Sequence, residues 1–390
     1  MGRRLFHVSL VLLLLALLVI GAIAFSVIGP TIGRGRFLRQ SALITAASTS
    51  SPTRLTTPTL PIEPTVQQTD PPALVKLALR YQPTVVVSAR DRFWPVSVLD
   101  TLHFRWGRKR TCLFRGDRCR LMPPKVSDLT QQRSSPSDYL QFPARVNRVT
   151  DQFVSSARAV GVPDAAIRRW RRTPTSVNPF PSAQIYFYYL DRAPDHAYRG
   201  VPDGLASLEY WFYFPLNYLA TVKTPLLTLV DPIGTTVGNS DLHQGDFEHV
   251  AVLLDRRTKR PRYLWMARHG DEGLAFRWHS PKVQWSGGHH AVVYSAFGSH
   301  AIYRECGIQR RLRTFYVVND YVVCLRHQTW GFTYQSTPLV DLAHTSWGCW
   351  QGHLGEAGRH LNRGAVNLVP YESDGPPSPL YQHENFGVAC

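Results

Sequence analysis

Apolar residues are distributed in three regimes along the 390-residue chain. From Val8 to Ile28 they run almost unbroken, with no charged residue, between Arg3-Arg4 and Pro30. At 1.5 Å per residue, about 20 residues of helix cross the ~30 Å hydrocarbon core of a bilayer. The run also exceeds the roughly 7–15 residues of a secretory h-region. Residues 1–30 therefore read as a signal anchor, one N-terminal transmembrane helix. The alternative is a signal cleaved near Ala22-Ile-Ala24, which would leave the protein secreted. Arginines on both sides, Arg3 and Arg4 against Arg34, Arg36 and Arg39, leave the orientation open. Residues 31–72 turn to Ser, Thr and Pro, a composition that cannot offset the entropy of ordering and reads as a stalk. A stalk after a membrane span favours a single-pass protein with an extracytoplasmic body.

From residue 73 to 390 the pattern changes to short aromatic or β-branched runs bounded by Gly, Pro, Asn or Asp. Gln184–Leu190, Leu208–Phe214, Glu248–Leu254, Pro261–Ala267, His290–Ala296 and Phe315–Leu325 each have strand length. Helical periodicity is confined to Ala73–Tyr81 and Asp151–Trp170. The prediction is a mostly β fold, an antiparallel β-sandwich with a few peripheral helices. Its inner faces would use the residues around Tyr186, Trp211 and Val252.

Charge adds a partner class. Lys and Arg number 44 against 27 Asp and Glu, a net charge of +17 that favours anionic surfaces, lipid or glycan. Much of the excess falls in an irregular insertion at about 103–148, including Arg105-Trp-Gly-Arg-Lys-Arg110. No zinc-finger, helix-turn-helix or RNA-binding signature accompanies it, which argues against nucleic acid. Cys112 and Cys119 are spaced to staple one loop and Cys306 and Cys324 to tie neighbouring strands, leaving Cys349 and Cys390 unassigned.

Candidate chemistry concentrates in Asn239-Ser-Asp-Leu-His-Gln-Gly-Asp-Phe-Glu-His249. Asp246 and Glu248, two apart on a strand, share a face. His243 lies three residues earlier, and Gly245 permits a bend that turns its imidazole toward them. Like-charged carboxylates on one face raise each other's pKa unless a cation or base compensates. A divalent cation resolves that conflict, and an oxygen-rich set with one His suits Mg²⁺, Ca²⁺ or Mn²⁺. A salt-bridged strand with Arg partners is the structural alternative.

His243-x-x-Asp246-Phe-Glu-His-Val250 resembles the Gly-His-Arg-His-Asp-Trp-Glu heptad of the necrosis- and ethylene-inducing peptide-like proteins. It is also similar to the His-x-Gly-Asp-Trp-Glu-x-Val motif of the vacuolar protein sorting-associated protein 62 family. Three further segments resemble that second family: Arg80–Pro95, Leu208–Asn217 and Val293–Tyr303, the last reading Val-Tyr-Ser-Ala-Phe-Gly-Ser-His-Ala-Ile-Tyr. The resemblance implies a β-sandwich with a divalent cation held by His243, Asp246 and Glu248. Asn217 stands where the necrosis-inducing proteins carry a fourth, aspartate ligand, so the implied site is one charge weaker. Gly245 and Phe247 replace a His and a Trp of the heptad, which sets necrosis-inducing activity in question. His269, in a loop similar to one flanking the cation in those proteins, and His300, after Gly298-Ser299, are candidates for the same cavity.

Three function classes follow: a cation-organised binding module for a polar head group or glycan, a metal-dependent hydrolase, and a trafficking or structural protein with a purely structural ion. No Gly-x-Ser-x-Gly elbow, His-Glu-x-x-His helix, Walker loop or Rossmann fingerprint is present, so the binding module leads and enzyme status stays open.

Overall fold

The computed structural model describes residues 72–88, 91, 93, 95–143, 154, 158–159, 163–165, 167–168, 183–217, 220–223, 239–240, 243–268, 272–313, 316–324, 331–332, 337–356 and 374–382. The anchor and stalk segments, His269 and most of 151–170 lie outside them. Among the described residues no helix is long and apolar enough to cross a membrane. The chain divides into two compact units. Every side chain discussed below belongs to the larger one, drawn from 59–221, 238–310 and 319–390.

Helix α1 (Pro72–Tyr81) opens the described chain and matches the expected Ala73–Tyr81 helix. Helix α2 (Val98–Leu102) starts at Ser97, whose hydroxyl accepts the Leu99 N–H while Asp100 reaches back to the Ser97 N–H. The strands, in chain order, are β1 (Thr84–Val87), β2 (Arg105–Trp106), β3 (Lys109–Arg110), β4 (Cys112–Arg115), β5 (Arg118–Leu121), β6 (Asp138–Gln141), β7 (Ile185–Leu190), β8 (Ala206–Asn217), β9 (Ala220–Lys223) and β10 (Asn239–Ser240). They continue as β11 (His243–Leu254), β12 (Pro261–Arg268), β13 (Glu272–Arg277), β14 (Gln284–Ser286), β15 (His290–Ser295), β16 (Ile302–Tyr303), β17 (Gly307–Arg313), β18 (Tyr316–Val322), β19 (Gly331–Phe332) and β20 (Leu339–Asp341). The six sequence-predicted strands all appear among them.

A six-stranded sheet runs β13-β12-β11-β8-β7-β20, and a five-stranded one runs β14-β15-β1-β19 with β16 on β15. Pairing within them is antiparallel except for β20 beside β7 and β1 beside β15, which are parallel. Neither sheet closes into a barrel. The two face each other across one core, with Val85, Ala291 and Val293 from the smaller sheet against Leu208, Tyr210, Phe212, Phe214, Val250 and Val252 from the larger. That is the expected sandwich, with one correction. Val252 lies between the sheets, but Tyr186 and Trp211 project from the opposite face of the large sheet. There they join a second core with Leu102 of α2, Leu113 of β4, Leu140 of β6, Trp347 and Trp350.

The large sheet is thus covered on both faces, and all twelve residues of β8 and of β11 are buried. A strand covered on both faces needs apolar or paired side chains at every position, so Leu208–Phe214 reads as a continuous aromatic run rather than an alternation.

The insertion expected to be irregular contains ordered β-structure. The pair β2–β3 and the sheet β5-β4-β6 lie within it, with Cys112 bonded to Cys119 across β4 and β5. Cys306 bonds to Cys324, and Cys349 is disulfide-bonded as well.

Candidate functional site

Strands β8 and β11 are antiparallel partners in one register, pairing His243 with Asn217, Gln244 with Leu216, Asp246 with Phe214 and Glu248 with Phe212. Gly245 interrupts their regular alternation. Its φ of 70° is a left-handed conformation, and a Cβ there would lie 1.9 Å from the Leu354 carbonyl oxygen. Next to it, Gln244 turns to the second core: its Oε1 accepts the Phe142 N–H at 3.0 Å and its Nε2 donates to the Phe142 carbonyl at 2.7 Å. In a regular strand Gln244 and Asp246 would share a face. Across the register, Phe214 faces the inter-sheet core while Leu216 faces the second one. Both strands therefore switch faces together at Gly245 and Pro215. The switch returns His243 and Asn217 to the strand face of Asp246 and Glu248, although the imidazole's hydrogen bonds go to Gly245 and Asn217 and not to the carboxylates.

His243 is then held by neutral partners. Its Nδ1 donates to the Gly245 carbonyl at 2.5 Å, which leaves Nε2 to accept from Asn217 Nδ2 at 3.1 Å. The other amide atom, Asn217 Oδ1, is buried and has no hydrogen-bond partner among the described residues.

The carboxylate of Asp246 engages His300. That residue ends the turn after β15, with a φ of 55°, and its ring lies flat on Phe214, 3.9 Å away and inclined by 6°. Nδ1 sits 2.8 Å from Asp246 Oδ2, and Nε2 faces Asp91 Oδ2 at 3.5 Å. Burial disfavours the charged imidazolium, but the field of Asp91 and the bonds to Asp246 and Asp91 outweigh it. Together they hold the His300 pKa up to about 9. Asp91 is itself fixed by the N–H groups of Phe93 and Gly298, both at 2.9 Å. Thus the Arg80–Pro95 and Val293–Tyr303 segments, distant in sequence, lock together at this point.

A further carboxylate, Asp320, continues the cluster. Asp320 accepts hydrogen bonds from Ser299 Oγ at 2.7 Å and from the Tyr303 hydroxyl. Burial, with Asp320 alongside, pushes the Tyr303 phenol far above its usual range. The Arg268 guanidinium lies 4.4 Å over the Tyr303 ring, and burial lowers its pKa. Asp91, Asp246, Glu248 and Asp320 are buried here, while His300 and Arg268 are the cationic side chains among the described residues of the cluster.

The sequence-predicted residues are therefore partly assembled. Asn217 and His243 touch, Asp246 and His300 touch, and Glu248 lies two residues along the same face. The need for a compensating charge beside Asp246, which the sequence assigned to a metal, is met in part by protonated His300. Among the described residues no three His, Cys, Asp or Glu side chains already stand as a metal cage. The oxygen donors nevertheless suit a hard cation, an orphaned amide oxygen and two carboxylates on one strand face, and His243 would join them by exchanging its Asn217 hydrogen bond for the ion. Sequence reasoning missed Asp91, Ser299, Tyr303 and Asp320. The first three lie inside the resemblance segments, and their polar character there was the available signal.

No family model matches the chain, and no curated protein matches it. The resemblance to the vacuolar protein sorting-associated protein 62 family accordingly rests on its motifs. Solved structures do match. One is NLPPya in complex with glucosamine, at 13% identity and a TM-score of 0.32, covering 74% of this chain and 80% of that one. Another is Necrosis and Ethylene inducing Protein 2 from the causal agent of cocoa's Witches Broom disease, at 9% identity and a TM-score of 0.28, covering 71% and 82%. They belong to the family that the segment His243–Val250 resembles. At such TM-scores the likeness fixes neither the architecture nor the ligand of this chain.

Proposed function

We propose that the body is a binding module in which His243, Asp246, Glu248 and Asn217 hold a divalent cation, Mg²⁺, Ca²⁺ or Mn²⁺. The observation that carries this reading is Asn217 Oδ1, a buried acceptor without a partner among the described residues, on the strand paired with the one that carries the buried carboxylates of Asp246 and Glu248. Leaving such a group unpaired costs about 1–3 kcal/mol, and a cation would use it. Once bound, the ion would supply coordination sites for the hydroxyl or phosphate oxygens of a glycan or polar head group. His300 would hold Asp246 in place from the other side.

The test is a thermal melt of the purified chain with chelator and with each ion restored. A bound ion at a hundredfold excess over Kd stabilises by about 2.7 kcal/mol, so chelator should lower the Tm and the ion should raise it again. Asp246→Ala should abolish the response and Asn217→Asp should strengthen it. A melt indifferent to chelator and to all three ions would overturn the reading.

One observation favours a second reading. His300 already bridges Asp246 and Asp91, so the cluster also works as a lock between β11, the loop after β1 and the loop after β15, with a proton as its cation.

The body is further proposed to sit outside the cytoplasm, held by residues 8–28. Three described disulfide-bonded sites, at Cys112–Cys119, Cys306–Cys324 and Cys349, support an oxidising compartment. Retention in membranes through a carbonate wash tests the anchor. A mature N-terminus near Phe25 would replace it with secretion.

A further inference from the structure

The basic insertion carries a feature that the cation face does not use. Between Arg105 and Arg133 the chain has nine Lys and Arg residues against two Asp. Two of these cations are paired: Arg115 donates to the buried Asp138 at 2.9 and 3.0 Å, and Arg133 lies 3.6 Å from Asp128. Arg108, Lys109, Arg110, Arg118 and Arg120 have no carboxylate partner among the described residues.

Strand β5 forms the edge of its sheet, and all four of its residues are exposed. Beside it opens a cavity of about 710 Å³ lined in part by Arg115, Arg120, Arg133 and Leu121. At the end of β5, Leu121 and Met122 are 41% and 58% exposed, two large apolar side chains in succession. The Cys112–Cys119 disulfide ties β5 to β4, so this edge is presented on a braced scaffold.

We propose that the β4–β5 edge docks on an anionic lipid bilayer, with Arg118 and Arg120 meeting lipid phosphates and Leu121 and Met122 entering the head-group boundary. Arginines on an edge strand also deter pairing with other strands, but that role leaves the exposed Leu121-Met122 pair without a purpose. A sulfated glycan would satisfy the arginines and offer nothing to Leu121 and Met122. Basic residues flanking exposed apolar ones are what an interfacial contact requires: apolar burial at the acyl boundary and attraction to negative head groups.

The test places an environment-sensitive fluorophore on Met122→Cys in the full chain, reconstituted into phosphatidylcholine bilayers with and without phosphatidylglycerol. The described cysteines are all disulfide-bonded, so the label goes to the new thiol. Any contribution of the N-terminal apolar run is common to both bilayers, and only the difference between them reads this edge. The expected result is a blue shift and protection from an aqueous quencher in the anionic bilayer alone, reversed by high salt. Arg118→Gln and Arg120→Gln should each weaken the response about fivefold. Identical emission in both bilayers would overturn the proposal, as would an anionic shift unchanged by the two Arg substitutions. A shift with heparin and none with bilayers would overturn it in favour of an anionic glycan.

Discussion

On the inner face of β11 carboxylates and cations are buried together, and each has a defined neighbour: His300 between Asp246 and Asp91, Tyr303 and Ser299 on Asp320. On β5 the charges are exposed, of one sign, and without carboxylate partners among the described residues. The difference lies in where the cost of charge falls. A buried charge must be compensated inside the protein before it can fold, so the first cluster is part of the folded state's stability. An exposed charge is solvated at little cost, so the second region can hold its charges unpaired for an outside partner.

The strongest way to break this comparison is His300→Ala. Removing the imidazolium leaves Asp246 and Asp91 buried without their shared cation, and stability should fall by about 3–5 kcal/mol in denaturant titration. A loss comparable to a surface substitution would show that the cluster is solvated after all.

Gly245→Ala comes next. The added methyl would meet the Leu354 carbonyl in a left-handed backbone, and we expect a loss of about 2–3 kcal/mol. Because the face switch centres on this residue, the same variant should also weaken any response to metal.

The pH dependence sharpens the contrast further. The folded pKa of His300, about 9, lies above the ordinary value near 6.5. Its stabilisation is therefore complete below about pH 6.5 and is lost as pH rises through about 9, an effect on the order of 1–3 kcal/mol. Denaturant midpoints measured across that range should fall in the wild type and stay flat in His300→Gln. The smallest effect belongs to β5, where Arg120→Gln should change stability by less than about 0.5 kcal/mol.

Local pattern revealed the strands because their aromatic and β-branched runs are bounded by turn residues. It did not reveal which face each run covers. Tyr186 and Trp211 look no different from Val252 until α2, β4 and β6 are packed against the far side of the sheet. In the insertion, arginines dominate the composition and hide short strands whose pairing is non-local: β4 joins β6 across more than twenty residues. At the site, the spacing of Asp246 and Glu248 and the bend at Gly245 were legible, because they are local properties of one strand. Asp91 and Asp320 were not, because one reaches the cluster from the loop after β1 and the other from β18, and the placement of both depends on the whole fold. The role of His300 was visible as a candidate but not as the cation beside Asp246, since its partner Asp91 lies about two hundred residues away in sequence.

The central claim is that His243, Asp246, Glu248 and Asn217 take a divalent cation in addition to the His300 proton. Calorimetric titration of the metal-free chain with Mg²⁺, Ca²⁺ and Mn²⁺ tests it most directly. The account predicts saturable binding of one of these ions, tighter in Asn217→Asp and absent in Asp246→Ala. No binding of any of the three to wild type or to Asn217→Asp, with both proteins folded, would contradict it and leave a face closed by its own imidazolium.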